Sequence, residues 1–165
     1  MEVVGELLPW RFQLVTELRV YVELRDFEVF SEGIAFSLIG KYPRSFLPEF
    51  NNPDAEPVFA ENSIQLSIVF PDGRIASLTD FPSIRNKFGP TMRKLGGGGR
   101  GGVISTVRMD LWLCPLLPNG EAMWIFQWGE LGLPESEYKF MVSNEVTELA
   151  QKPHIALKID DVQGV

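Results

Sequence analysis

From Val103 to Leu113 the chain alternates with a period of two residues. Val103, Ser105, Val107, Met109, Leu111 and Leu113 fall on one side, and Thr106, Arg108, Asp110 and Trp112 on the other. Successive side chains of a strand point to opposite faces, so this segment fits a β-strand with one buried face and lays no stripe along a helix. The same pattern recurs along the chain. Between Phe12 and Leu24, the residues Leu14, Leu18, Val20, Val22 and Leu24 oppose Glu17, Arg19, Tyr21 and Glu23, which predicts a strand. After a turn signal at Ser31-Glu32-Gly33, Ile34, Phe36 and Leu38 predict another, ending near Lys41-Tyr42-Pro43.

Ile64, Leu66, Ile68 and Phe70 lead into Pro71-Asp72-Gly73, a turn in which proline presets its φ and glycine accepts a positive one. Arg74 to Thr79 is the returning strand of that hairpin. A second hairpin is expected at Pro115 to Gly120, with Glu121 to Trp128 returning and Ala122, Trp124, Phe126 and Trp128 on one face. Trp124 and Trp128 read as core; Trp112, on the polar side of its strand, reads as a surface that a ligand or partner could stack on. One helix is expected late in the chain. Val142, Val146, Leu149 and Ala150 form its apolar stripe, Ser143 or Asn144 caps it, and Pro153 ends it. Residues 155 to 159 read as a short strand or packed tail, and residues 43 to 62, with four prolines, as a long loop. The fold class that follows is mainly β: an antiparallel β-sandwich or open barrel of six to seven strands with one C-terminal helix, in a single domain spanning residues 1–165.

Charge is unevenly distributed. The chain is formally −7, yet Phe81 to Met109 contains no Asp or Glu and carries Arg85, Lys87, Arg93, Lys94, Arg100 and Arg108. The remainder holds nine basic and twenty-two acidic residues, a balance of 9 − 22 = −13. Within the basic segment, six of fifteen glycines fall between Gly96 and Gly102. Glycine packs no core and is costly to order, so residues 81 to 102 are expected to form a basic Gly-rich loop. Gly96-x-Gly98-x-x-Gly101 matches a dinucleotide fingerprint in letters only, because a strand pattern follows where the fingerprint needs a helix.

Other chemistry is thinly represented. Cys114 is the single cysteine and reads as a small core hydrophobe; His154, the single histidine, reads as a solvated or capping residue. No metal cluster, cofactor motif or apolar run of membrane-spanning length is present in the sequence, so a cytoplasmic protein with neither metal nor cofactor is expected.

The glycine run is followed by Asp110-Leu111-Trp112-Leu113-Cys114-Pro115-Leu116-Leu117-Pro118-Asn119-Gly120, then Trp124 to Trp128, then Gly132-Leu133-Pro134-Glu135. In this order the chain resembles a family of small uncharacterised bacterial proteins with a Trp-rich hairpin and a Pro-rich turn, clearest from about residue 60 to 150. Members of that family often carry proline after the tryptophan that matches Trp128, where this chain has Gly129. The resemblance implies the hairpin and carries over no functional residue.

Two functional expectations follow. The first is a non-enzymatic binding or assembly module that engages a protein partner or a small anionic ligand through a sheet face and the Gly-rich loop. Arg93, Lys94, Gly98, Arg100 and Trp112 are its ligand-binding candidates. Nucleic acid is disfavoured as a partner by the net charge, no membrane partner is expected, and homo-oligomerisation stays open. The alternative is a small hydrolase-like enzyme with a carboxylate, Asp110 or Glu130, beneath the loop acting as a lid.

Overall fold

The computed structural model describes residues 5–17, 19–47, 54, 63–79 and 89–152. Leu18, residues 81–88 of the expected basic loop, nearly all of 48–62, Pro153, His154 and the 155–159 tail lie outside the described residues.

Ten strands are described: β1 (Glu6–Leu8), β2 (Phe12–Glu17), β3 (Val20–Val29), β4 (Ile34–Pro43), β5 (Ile64–Val69), β6 (Ile75–Thr79), β7 (Thr91–Arg100), β8 (Ile104–Cys114), β9 (Gly120–Trp128) and β10 (Leu133–Val142). One helix follows, α1 (Glu145–Gln151). The strands form a single curled sheet, an open half-barrel, in the order β1-β3-β4-β8-β7-β6-β5-β9-β10, with β2 also on β3. All described pairings are antiparallel except β6 with β7, which meet in parallel at Leu78–Met92 and Thr79–Arg93. The sheet is therefore mixed and ten-stranded, where six or seven antiparallel strands were expected. No described helix is long and apolar enough to cross a membrane.

The additional strands are those with weak local signals. β1 is three residues long, β10 is exposed along most of its length and contains Pro134, and β7 holds the glycine run. Proline is tolerated in β10 because that strand lies at the end of the sheet. The stretch from Phe12 to Leu24 is two strands, not one, reversing between Glu17 and Val20. A register shift between Gln13 and Val15 sets Val15, in place of Leu14, opposite Val22.

The hairpin expected at Pro71-Asp72-Gly73 is present, with Gly73 at φ 89° and Val69 paired to Ile75. The second expected hairpin is absent. β8 lies between β4 and β7, whereas β9 lies between β5 and β10, so the Pro115–Asn119 connection carries the chain from one half of the sheet to the other. The Cys114–Pro115 bond in that connection is cis. A turn signal specifies a reversal; which strands then pair is decided by the faces they must bury.

Inward faces meet in an aromatic core. Trp124 and Trp128 are fully buried, as expected, among Phe27, Phe36, Phe70 and Phe126. Phe27 stacks on Phe36 with centroids 5.0 Å apart, and Trp124 stacks on Phe140 of β10 at 5.8 Å. Trp128 sits on Gly40, where an added Cβ would come within 2.8 Å of its ring. The two ends of the sheet approach through side chains. Phe12 of β2 lies 4.7 Å from Phe140 and 5.6 Å from Tyr138, centroid to centroid, while Trp10 donates its indole N–H to Glu145 of α1 at 2.9 Å.

Trp124 touches rings from β2, β3, β4 and β10, so its removal should loosen both halves at once. Trp124→Ala is expected to lower unfolding free energy by about 3–5 kcal/mol, measured by urea denaturation followed by circular dichroism. A cost near zero would mean that the aromatic core does not hold the curled sheet.

Candidate functional site

The outward faces of β4, β8 and β7 bring most of the sequence candidates together. Strand register arranges them in rows: Ala35–Trp112–Arg93, Ser37–Asp110–Gly96, Ile39–Arg108–Gly98 and Lys41–Thr106–Arg100. Paired residues share a face. The opposite face of β8 holds Val107, Met109, Leu111 and Leu113, all buried, so these rows point away from the aromatic core.

The glycine run is part of this platform. Residues 91–100 are strand β7, paired to β8 from Thr91–Cys114 to Arg100–Thr106, and not the loop expected there. Glycine is a poor strand former, but the strongly alternating β8 supplies a full ladder on one side, and that neighbour decides. One glycine is demanded by this pairing. Gly97 has φ 158°, and a Cβ at that position would run into the Arg108 carbonyl oxygen. Gly96 and Gly98 are different. The nearest atom to a Cβ on Gly96 is Asp110 Oδ2 at 3.9 Å, and a Cβ on Gly98 would meet nothing within 4 Å.

A bulge separates two of the candidate cations. Lys94 pairs with Leu111, on the face away from Arg93, and the register shift between Lys94 and Gly96 then brings Arg100 onto the face of Arg93 and not of Lys94. Arg93, Gly98, Arg100 and Trp112 therefore share the platform, and Lys94 does not. In exchange, cross-strand register adds Lys41 and Arg108. Together with Gly98, Gly99, Arg100 and Thr106 they line an open groove of about 410 Å³. A second groove of about 310 Å³ lies where β7 turns into β8, lined by Arg19, Pro43, Arg44, Ser45, Gly102 and Val103. The two grooves place Arg19, Lys41, Arg44, Arg100 and Arg108 at one end of the platform.

Asp110 is the acidic group of the platform. Ser37 donates to its Oδ1 at 2.8 Å and Arg108 Nε at 3.1 Å, while Arg108 also reaches the Ser37 hydroxyl at 3.3 Å. Partial burial pushes the Asp110 carboxyl upward, but the hydrogen bonds from Ser37 and Arg108 and the guanidinium charge outweigh it, leaving Asp110 below the usual carboxylate range. Further along the same face, Glu23 is buried and ion-paired to Arg11.

Trp112 is half-buried, its ring 5.6 Å from that of Phe30 and packed over Gly33. Glu130 lies in a single 3-10 turn after β9, its backbone N–H donating to Ser63 Oγ at 3.2 Å. The described hydrogen bonds of Asp110 and Glu130 share no residue. Among the described residues, no three His, Cys, Asp or Glu side chains converge as a metal site would require.

Sequence reasoning singled out Arg93, Arg100, Gly98 and Trp112 but missed Lys41, Thr106 and Ser37 as site residues. The alternation of β8 already places Arg108 beside Asp110. Lys41 could be found only from the β4–β8 register, which pairs residues 65 positions apart (106 − 41). Comparison of the chain with protein-family models, curated proteins and solved structures gives no match.

Because the folded Asp110 carboxyl titrates below its unfolded value of about 3.9, the stability it contributes is complete above that value and is lost as pH falls through the folded one. Asp110→Asn should therefore flatten the acid limb of a stability–pH curve below about pH 4, read from urea midpoints. An acid limb identical in the two proteins would remove the Ser37–Asp110–Arg108 network from the account.

Proposed function

We propose that this chain is a non-enzymatic binding module that engages an anionic partner through the outward face of β4, β8 and β7. The observation that carries this is the pair Gly96 and Gly98. Each strand glycine costs roughly 0.5–1 kcal/mol relative to a residue with a side chain. At Gly97 the approach of the β8 backbone accounts for that cost; at Gly96 and Gly98 the chain itself has room for a methyl. Bare backbone at Gly98, continued by Gly99, leaves a floor between Arg108, Arg100 and Lys41 that a partner's oxygen atoms can approach.

The chemistry suits carboxylate or phosphate groups. Guanidinium groups at Arg100 and Arg108 offer forked donors, and Lys41 adds a mobile ammonium. Asp110 neutralises part of Arg108, which limits affinity for isolated small anions and favours a partner that contacts several cations at once.

Inorganic polyphosphate is a suitable probe, titrated by calorimetry at several salt concentrations. The double variant Lys41→Ser, Arg100→Ser is expected to bind about tenfold more weakly and to reduce the salt slope of log K by roughly two. Gly98→Val is expected to weaken binding while leaving the urea midpoint unchanged or raised, since a β-branched residue suits a strand. Absence of binding by the parent protein at any salt, or full binding by both variants, would overturn the proposal.

A further inference from the structure

We infer that the partner is an extended acidic peptide segment that adds as a strand to the side of β7 that, from Lys94 to Arg100, bears no strand among the described residues; this rests on the anionic-partner proposal and specifies its occupant. Among the described residues, the pairing of β7 with β6 covers Met92 and Arg93. From Lys94 to Arg100, β7 has no strand on that side among the described residues, although its other side is paired to β8 throughout. An unpaired strand edge presents backbone N–H and C=O groups in the spacing that an extended chain matches. Proteins commonly guard such edges with an inward-pointing lysine or a bulge, and here both guards, Lys94 and the Leu95 bulge, lie at the end next to β6. Gly97, Gly98 and Gly99 follow without either.

Charge complementarity selects the acidic class. Arg93 and Arg100 are on β7 itself, with Arg108 and Lys41 in the rows behind. Strands two apart in a sheet are separated by about 10 Å, a span that a glutamate and an arginine bridge when no side chain stands between them. Gly98 is the position between an incoming residue and Arg108, and it carries no side chain. A glutamate opposite Gly98 can therefore reach Arg108 across the bare strand.

Apolar exposure favours a peptide over a free anion. Val103 and Ile104 are exposed at the β7–β8 turn near Arg100, and Leu95 is exposed at the other end of β7, next to Arg93. A phosphate group gains nothing from them, whereas the alternate side chains of an extended peptide can cover them.

The test uses a fluorescein-labelled peptide alternating Glu and Val, measured by anisotropy against the full chain. A second peptide of the same sequence carries N-methyl groups on alternate backbone amides, which removes hydrogen-bond donors without altering charge. Polyphosphate serves as the third probe. Strand addition predicts that the first peptide binds, that N-methylation weakens binding about tenfold or more, and that the amides of residues 97–100 gain hydrogen-exchange protection with the peptide but not with polyphosphate. Equal binding of the two peptides, or binding of polyphosphate alone, would overturn strand addition and leave the anionic-partner proposal standing. No binding of any probe would overturn both. A concentration-dependent dimer in sedimentation, weakened by Gly98→Val, would identify a second copy of the chain as the occupant and overturn the acidic peptide.

Discussion

The curled sheet depends on ring packing between its two ends. A ten-stranded sheet that does not close its hydrogen-bond ladder must cover both terminal strands in some other way. Here Phe12 of β2 packs on Tyr138 and Phe140 of β10, and Trp10 packs on Phe12, Phe27 and Phe140. The indole N–H of Trp10, bonded to Glu145, anchors α1 over the same seam. Edge-to-face and stacked aromatic contacts each contribute about 0.5–1.5 kcal/mol beyond the area they bury, so a cluster of this density can replace a closing ladder. The curvature that brings Phe12 to Phe140 also turns the opposite faces of β4, β8 and β7 outward. Fold and platform thus have a common origin.

The second consequence lies at the β6–β7 junction. A parallel pairing of two described residue pairs is the weakest described link in the sheet, and among the described residues β7 continues seven residues past it, from Lys94 to Arg100, with β8 as its one neighbour. Most of that overhang is glycine. A strand with side chains gains from cross-strand packing on both neighbours, whereas a glycine strand gains little beyond its ladder. β7 is therefore held by its hydrogen bonds to β8, and β8 by the core it buries through Val107, Met109, Leu111 and Leu113.

What could be read in the sequence follows the range of the interactions concerned. Alternation is local, so β4, β5 and β8 and the buried faces of Trp124 and Trp128 were legible. Pairing is not local. The Asn119-Gly120 signal argues for a hairpin that does not form, and β8 and β9 end up between other strands because both must bury an apolar face in the same core. The glycine run was misread for a related reason. Glycine's own preference argues for a loop, and only the strand beside it makes β7 a strand. Arg100 shows the smallest version of the effect: one bulged residue, Leu95, moves it from the face of Lys94, six residues earlier, to the face of Arg93. Of the site, the candidate cations were visible by composition, while Lys41 and Ser37 required the β4–β8 register.

For the proposed anionic partner, the electrostatic setting of the platform favours contact at short range over long-range capture. With −13 on the residues outside the acid-free segment, the body of the chain repels the same anions that the groove attracts. At physiological salt the Debye length is about 8 Å, so exposed acidic groups more distant than that are largely screened from a ligand in the groove. At contact distance a partner of the proposed kind would meet Arg100, Arg108 and Lys41, with Asp110 bonded to Arg108. Attraction then grows only over the last few ångströms. A partner in that position must displace water from bare glycine backbone as well as from the cations. On the proposed strand addition, directional contacts with the β7 edge would discriminate between anions that the charges alone treat alike.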